Sequence, residues 1–398
     1  MTHHFNGHIN LLPVEEQQLR LGHLRAAMAT ARVDAILVSD IANIYYLTGR
    51  VFSGYVYVTA EEMPVVYFVK RPSGLEGDGV VYIRKPEQIA ESLELAIPAS
   101  IGLELDLLPF SMASRLAKVF GRDAASIANA SPVLRAVRAI KTPLQQRMMR
   151  DSAIQQDYVY RQVPKLYREG MTDIELQIEI ERALRRRGCL GQFRISGDSM
   201  ELYMANILVG ENADSPTPYD FAMGGAGLDP SLPVGACGEI IREGNSVMVD
   251  ANGNFTGYMT DMTRTFTLGE IAPLAVKAHE TSIEICRAVA AAARPGAEAR
   301  HLYSLAESMA AEAGLAEYFM GHRQKAGFVG HGLGIEINEL PVIAPRSRDI
   351  IAPGNTFALE PKFVIPGTGA VGIENTYIVG EDATEAITTT PQQLISLS

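Results

Sequence analysis

The sequence predicts an α+β protein of two domains. Three observations carry this: the length, a helix-start signal near residue 142, and the grouping of helices and strands into blocks beyond it. At 398 residues the chain exceeds what one hydrophobic core serves and suits two domains at about 150 residues each. Hydrophobic residues make up 47% and charged residues 20%, the balance of an ordinary globular protein that can bury a deep site.

Residues 14–31 read as an amphipathic helix. The runs "DAILVSD", "VVYFVK", "VVYI" and "SIGLEL" read as strands between helical or turn-rich segments, so residues 1–140 are expected to form an α/β domain. In "IKTPLQQRMM", Thr142 is a helix N-cap, Pro143 the first helical residue and Gln145 the partner of a capping box, which opens a second domain over 141–398. "GMTDIELQIEIERALRRRG" repeats the device with Thr172 and Glu175, and its closing arginines, Arg185 to Arg187, suit a solvated helix C-terminus. Residues 203–270 alternate strands with glycine-rich loops, 272–293 and 296–314 look helical, and 355–379 return to strands. Blocks of this kind predict a mainly antiparallel sheet.

A net charge of −11 argues against nucleic acid or an anionic membrane as the main partner. No apolar run reaches the roughly 20 residues that span a bilayer, and "MTHHFNGHIN" lacks signal-peptide grammar, so the cytoplasm is the expected compartment. Cys189, Cys237 and Cys286 are dispersed and fit small core residues in a reducing compartment. "MGGAGLDPSLPVGACG" lacks the ending of a phosphate loop, and the chain has no GxSxG nucleophile elbow.

Chemistry concentrates in carboxylates on strand-like sequence. "VMVDANGNFTGYMTDMTRTF" holds Asp250 and Asp261. A hairpin turning through Asn254–Gly257 sets them directly opposite, with Cβ atoms about 5 Å apart, whereas a tight turn at Asn252-Gly253 separates them. In "FALEPKFVIPGTGAVGIENTYIV", a turn centred on Gly367 brings Glu360 opposite Glu374. An acidic residue on a strand usually faces water. Two such pairs, with His331 held between glycines in "GHGLGIE", point instead to one metal site. Four carboxylates and an imidazole are an oxygen-rich set suited to manganese, iron, cobalt or zinc.

These segments resemble the pita-bread metallopeptidases: aminopeptidase P, prolidase, methionine aminopeptidase and creatinase. "NIYYLTG" is similar to the family's amino-terminal creatinase/prolidase domain, "VDANGNFTGYMTDMTRTF" to its paired-aspartate hairpin, "GHGLGIE" to its histidine motif, and "LEP" and "IEN" to its glutamate motifs. The resemblance implies a pita-bread catalytic domain behind a smaller α/β domain, and it selects the register with Asp250 opposite Asp261. It further implies two divalent metal ions, manganese foremost with cobalt, iron or zinc as alternatives. Asp250 would hold one ion, Asp261 and Glu374 would bridge both, and His331 and Glu360 would complete the other. A water or hydroxide between the ions would attack the substrate carbonyl. Glu360 would carry its proton to the leaving amine.

The resemblance breaks at the substrate side. Asn338 stands where Xaa-Pro peptidases have a second histidine, Gly327 and Thr217 replace two more, and Gly372 replaces an arginine. Asn338 and Thr217 are therefore the expected substrate contacts. Lys362, on the same strand face as Glu360, is the leading compensating cation, ahead of Arg264 and His322; a structural charge is the plainer reading of each. The expected activity is metal-dependent hydrolysis of a small peptide or peptide-like amide by a homodimer. The alternatives are a diverged non-peptidase acting on another small C–N compound and a catalytically silent binding protein.

Overall fold

The computed structural model describes residues 7–71, 74–93, 98–197, 202–219, 221 and 223–397. Residues 1–6 of "MTHHFNGHIN" and Asp220 of the loop that carries Thr217 lie outside the described residues. The chain divides into two compact units, residues 1–138 and 139–398.

The first unit carries helices α1 (Val14–Ala31), α2 (Ile41–Thr48), α3 (Gln88–Ser92) and α4 (Phe110–Val119), and α5 (Ser131–Ala139) runs to its end. Its strands are β1 (Ala35–Val38), β2 (Gly54–Thr59), β3 (Val66–Val69), β4 (Val80–Tyr82), β5 (Ile101–Leu103) and β6 (Ala128–Asn129). They form one mixed sheet in the order β4-β3-β2-β1-β5-β6, with β2 antiparallel to both β1 and β3. All four residues of β1 are buried, as a central strand covered on both faces requires.

The second unit opens with α6 (Pro143–Tyr160), α7 (Val163–Leu166) and α8 (Asp173–Arg187). Both capping boxes form: the Thr142 N–H donates to Gln145 Oε1 at 2.7 Å, and the Thr172 N–H donates to Glu175 Oε2 at 2.9 Å. Helix α8 ends on its three arginines and a left-handed Gly188. The loop-rich stretch to residue 245 holds strand β7 (Ala205–Val209). Then come β8 (Ser246–Asn254), β9 (Met259–Thr267), α9 (Pro273–Ala292) and α10 (Ala299–Glu312). The chain finishes with β10 (Gly330–Gly332), β11 (Glu339–Ile343), β12 (Thr356–Leu359), β13 (Lys362–Ile365), β14 (Gly369–Gly372), β15 (Asn375–Val379), β16 (Thr384–Ala386) and β17 (Ile395–Ser396).

Three sheets result: β17-β9-β8-β7, β11-β10-β12-β15-β16, and the β13-β14 hairpin. Every pairing is antiparallel except β17 with β9. Strand alternation then sorts the β8-β9 side chains. Val247, Val249, Ala251, Met262 and Phe266 join the helix-side core with Tyr160, Leu176 and Ile180. Asp250, Asn252, Asp261 and Thr263 fall on the opposite face.

Candidate metal centre

The β8-β9 register differs from the expectation that Asp250 lies opposite Asp261. Asp250 pairs with Thr263, and Asp261 with Asn252. The hairpin turns one residue later than Asn254–Gly257, because Asn254 stays in the ladder opposite Met259 and its Oδ1 accepts the Gly257 N–H at 3.1 Å. Gly257 supplies the left-handed backbone, φ +87°, that this closure needs. The slip is even in ladder terms, so both aspartates keep one face and become diagonal neighbours.

The second carboxylate pair falls as expected. The β13-β14 and β12-β15 ladders share one register centred on Gly367, with Lys362 opposite Gly372 and Leu359 opposite Asn375. Glu360 and Glu374 sit at the breaks between these ladders, free of strand pairing but fixed from both sides. The Glu360 N–H donates to Val329 O at 2.9 Å, and the Glu374 N–H donates to Thr263 O at 3.1 Å. Arg264, one of the three candidate cations, is wholly buried and acts as scaffold. It donates to Glu374 O and Thr263 O at 2.7 Å and to Asn375 Oδ1 at 2.8 Å.

His331 enters from β10. Its flanking glycines are there for close approach rather than flexibility: a Cβ on Gly330 would meet Ala358 O at 2.5 Å, and one on Gly332 would meet Leu340 at 2.2 Å. Nδ1 lies 3.2 Å from Gly332 O, which fixes the tautomer that leaves Nε2 for a ligand. Nε2 is 3.4 Å from Glu360 Oε1 and 3.9 Å from Glu374 Oε1.

Two clusters share Glu374. Ligand atoms of Asp261, His331 and Glu374 fall within 4.8 Å of one another, as do those of Asp250, Glu360 and Glu374. The two oxygens of Glu374 have different surroundings. Oε2 accepts the Thr263 hydroxyl at 2.8 Å and lies 3.3 Å from Lys362 Nζ, whereas Oε1 is buried without a hydrogen-bond partner among the described residues. A buried carboxylate oxygen left without a partner is costly. Its position beside Asp261 and His331 fits a cation held by those three side chains.

Lys362 is the candidate cation that reaches the centre. It is wholly buried, and Nζ lies 2.7 Å from Glu360 Oε2, 2.8 Å from Asp250 Oδ2 and 3.3 Å from Glu374 Oε2. Expected as a substrate contact, it spends its ammonium within the protein: three donors, met by three carboxylates. His322 instead pairs with Asp214 at 2.8 Å.

Electrostatics follow from this crowding. Two carboxylates about 4 Å apart repel by roughly 4 kcal/mol at an effective dielectric of 20, so the four acids cannot all stay charged without cations or protons. Burial, then Glu374 and Asp250, pushes Asp261 well above the usual carboxylate range. Burial and Glu360 raise Glu374 to about 8. Burial also disfavours charge on Glu360, but Lys362 and His331 outweigh it and hold this carboxyl below its ordinary value. For His331, burial is outweighed by Glu360 and Glu374, which raise it to about 9.

The other expected substrate contacts are tied to backbone. Asn338 Oδ1 accepts the Ser196 N–H at 2.8 Å and Nδ2 donates to Ser196 O at 2.5 Å, an amide clamp that uses both ends of the side chain. Thr217 Oγ1 donates to Pro233 O at 2.8 Å, and Thr217 lines a small pocket with Tyr219, Phe221 and Gln324. At Gly327 an added Cβ meets nothing within 4 Å; at Gly372, φ +139°, it would meet Pro361 O at 2.7 Å. Thr263, whose hydroxyl reaches Glu374, was not singled out from the sequence; strand parity with Asp261 was the signal that could have found it.

Comparison with known proteins places this geometry. The model of metallopeptidase family M24 matches residues 147–381, and that of the creatinase/prolidase N-terminal domain matches residues 20–140. A probable dipeptidase PepE of Mycobacterium tuberculosis is 30% identical over 267 residues, 67% of this chain and 63% of that protein, so the chain spans somewhat less than two thirds of that relative. An Xaa-Pro dipeptidase of Pyrococcus horikoshii is 24% identical over 372 residues, covering 91% of this chain and 95% of its own. The solved structure of an Xaa-Pro dipeptidase from Bacillus anthracis superposes with TM-score 0.78 at 23% identity, covering 96% of this chain and 99% of its own, which gives the pita-bread fold. With the family match spanning more than half its length and the carboxylates and imidazole drawn together inside that match, the chain belongs to metallopeptidase family M24.

Proposed function

We propose that this protein hydrolyses a C–N bond in a small peptide or peptide-like amide, using a divalent ion held by Asp261, His331 and Glu374. The observation that carries the reading is the buried Glu374 Oε1, without a hydrogen-bond partner among the described residues, facing His331 Nε2 at 3.9 Å, with Glu360 alongside at 3.4 Å. When bound, such an ion supplies Lewis acidity and makes a water acidic enough to be deprotonated near neutral pH.

The chain's own residues divide the remaining work. Glu360, kept in its carboxylate form by Lys362 and His331, accepts the proton of the attacking water at Oε1 and delivers it to the leaving nitrogen. The Gly332 carbonyl orients His331, and Thr263 and Arg264 fix the side chain and backbone of Glu374. The oxygen-rich donor set favours manganese over cobalt, iron or zinc. A homodimer is part of the reading because the resemblance implies one, and a cytoplasmic setting because all three cysteines are free thiols.

A second reading concerns the substrate. Asn338 and Thr217 spend their polar atoms on backbone, and the close backbone around Gly372 leaves no room for a side chain. These facts favour a small C–N compound over efficient cleavage before proline. The test is a screen of Xaa-Pro dipeptides against small cyclic and N-substituted amides, with metal-stripped and manganese-, cobalt-, iron- and zinc-loaded protein. Metal-dependent turnover of at least one amide is expected. Tight metal binding with no turnover of any amide would point to a silent binding protein.

A further inference from the structure

We propose that the Lys362 ammonium permanently replaces one of two cations, so that each chain takes up one divalent ion, between Asp261, His331 and Glu374, and none between Asp250, Glu360 and Glu374. The inference rests on the metal-binding reading above and narrows it. The resemblance alone implied two ions; the geometry of this chain points to an ion and an ammonium.

Three observations carry it. First, Nζ occupies the centre of the Asp250–Glu360–Glu374 cluster, 2.7 to 3.3 Å from one oxygen of each. A divalent ion must approach such oxygens to about 2.0–2.2 Å. The three ligand atoms lie within 4.8 Å of one another, so an ion bonded to all three would fall on top of Nζ.

Second, the lysine is built in. It belongs to strand β13 opposite Gly372, and a Cβ at Gly372 would lie 3.0 Å from the Lys362 Cα, so the facing backbone closes over its base. Its side chain is wholly buried. Moving an ammonium out of water costs several kcal/mol, and the three carboxylates offset that cost only where the side chain now sits. Withdrawing the ammonium would leave three carboxylates without their counter-charge inside the protein.

Third, the two oxygens of Glu374 report different states of the two positions. Oε2, on the Lys362 side, is satisfied by the ammonium and the Thr263 hydroxyl; Oε1, on the His331 side, has no hydrogen-bond partner among the described residues. One cation position is thus filled by the protein, and one fits an added ion. Lys362 is a positioning residue in this scheme: it holds Glu360 Oε2 and leaves Oε1 toward His331.

The test is a metal count on the full-length chain. Protein stripped with a chelator is titrated with manganese by equilibrium dialysis, and the bound ions are examined by electron paramagnetic resonance. Wild type should saturate at one manganese per chain with the spectrum of an isolated ion. Lys362→Met should take up a second and show the exchange coupling of a close pair. Wild type saturating at two would overturn the inference while leaving the hydrolase reading in place, and so would a folded Lys362→Met that still binds one. Binding of none by either protein would overturn the metal reading itself. Should Lys362→Met fail to fold, the wild-type count and spectrum decide alone.

Discussion

Lys362 Nζ lies 2.7 Å from Glu360 Oε2, although the two residues stand only two apart on the chain and both are buried. Strand alternation gives them one face, and the break in the ladder at Glu360 lets the carboxylate turn back toward the ammonium. One oxygen of Glu360 is thereby held, and the other faces His331. The first prediction follows: Glu360→Gln should lower kcat about 10²–10³-fold. It should leave manganese uptake intact, because Asp261, His331 and Glu374 remain. Steady-state kinetics with metal analysis check both halves.

Asn338→His separates a catalytic from a structural role. Asn338 clasps both backbone groups of Ser196, and an imidazole cannot reproduce that two-point contact. The substitution should cost about 1–2 kcal/mol, read as a Tm lowered by several degrees. It should not raise turnover of Xaa-Pro dipeptides, because the loop bearing Ser196 loses its clamp. A gain in that turnover would show instead that the missing imidazole alone limits peptidase action.

The two glycines at which the resemblance implies a side chain, Gly327 and Gly372, should respond differently. Gly327 opens on empty space, so Gly327→His should change stability by no more than about 0.5 kcal/mol. Gly372 combines φ +139° with a 2.7 Å approach to Pro361 O, so Gly372→Ala should cost about 2–4 kcal/mol. Denaturant unfolding of the two variants gives the comparison.

Acid sensitivity should trace to His279. Its Nε2 contacts Gln392 O at 2.7 Å, and burial, helped by Arg264, lowers the imidazole to about 4 from an ordinary 6.5. The folded state therefore binds fewer protons than the unfolded chain between those values. Stability is fully present above pH 6.5 and is lost as pH falls toward 4, by up to roughly 3 kcal/mol. A His279→Gln variant should show a flatter Tm profile between pH 6.5 and 4 than wild type.

How far the sequence could be read depended on what fixes each feature. Capping boxes are local, and both formed as written at Thr142 and Thr172. The Glu360–Glu374 register was legible because Pro366 to Gly369 leave one place to turn. The β8-β9 register was not, since a tight turn at Asn252-Gly253 competes with a longer one through Asn254–Gly257, and the turn that forms is held by Asn254 together with contacts from helix α6. Strand β2 went unassigned although "GYVYV" is rich in β-branched and aromatic residues behind the Ser53-Gly54 turn signal, because its continuous apolar run lacks the alternation of a half-buried strand. Asn338 and Thr217 were picked out only through the resemblance, and what a short polar side chain touches is set by a distant backbone. Lys362 was found by strand parity alone; that three acids converge on it required the fold.

Anomalous scattering from crystals soaked in manganese distinguishes a centre with one exchangeable ion and one fixed ammonium from a centre with two ions. One anomalous peak per chain is expected, bounded by Asp261, His331 and Glu374, with the Lys362 side chain unmoved. Two peaks, with Lys362 displaced from Asp250 and Glu360, would contradict it.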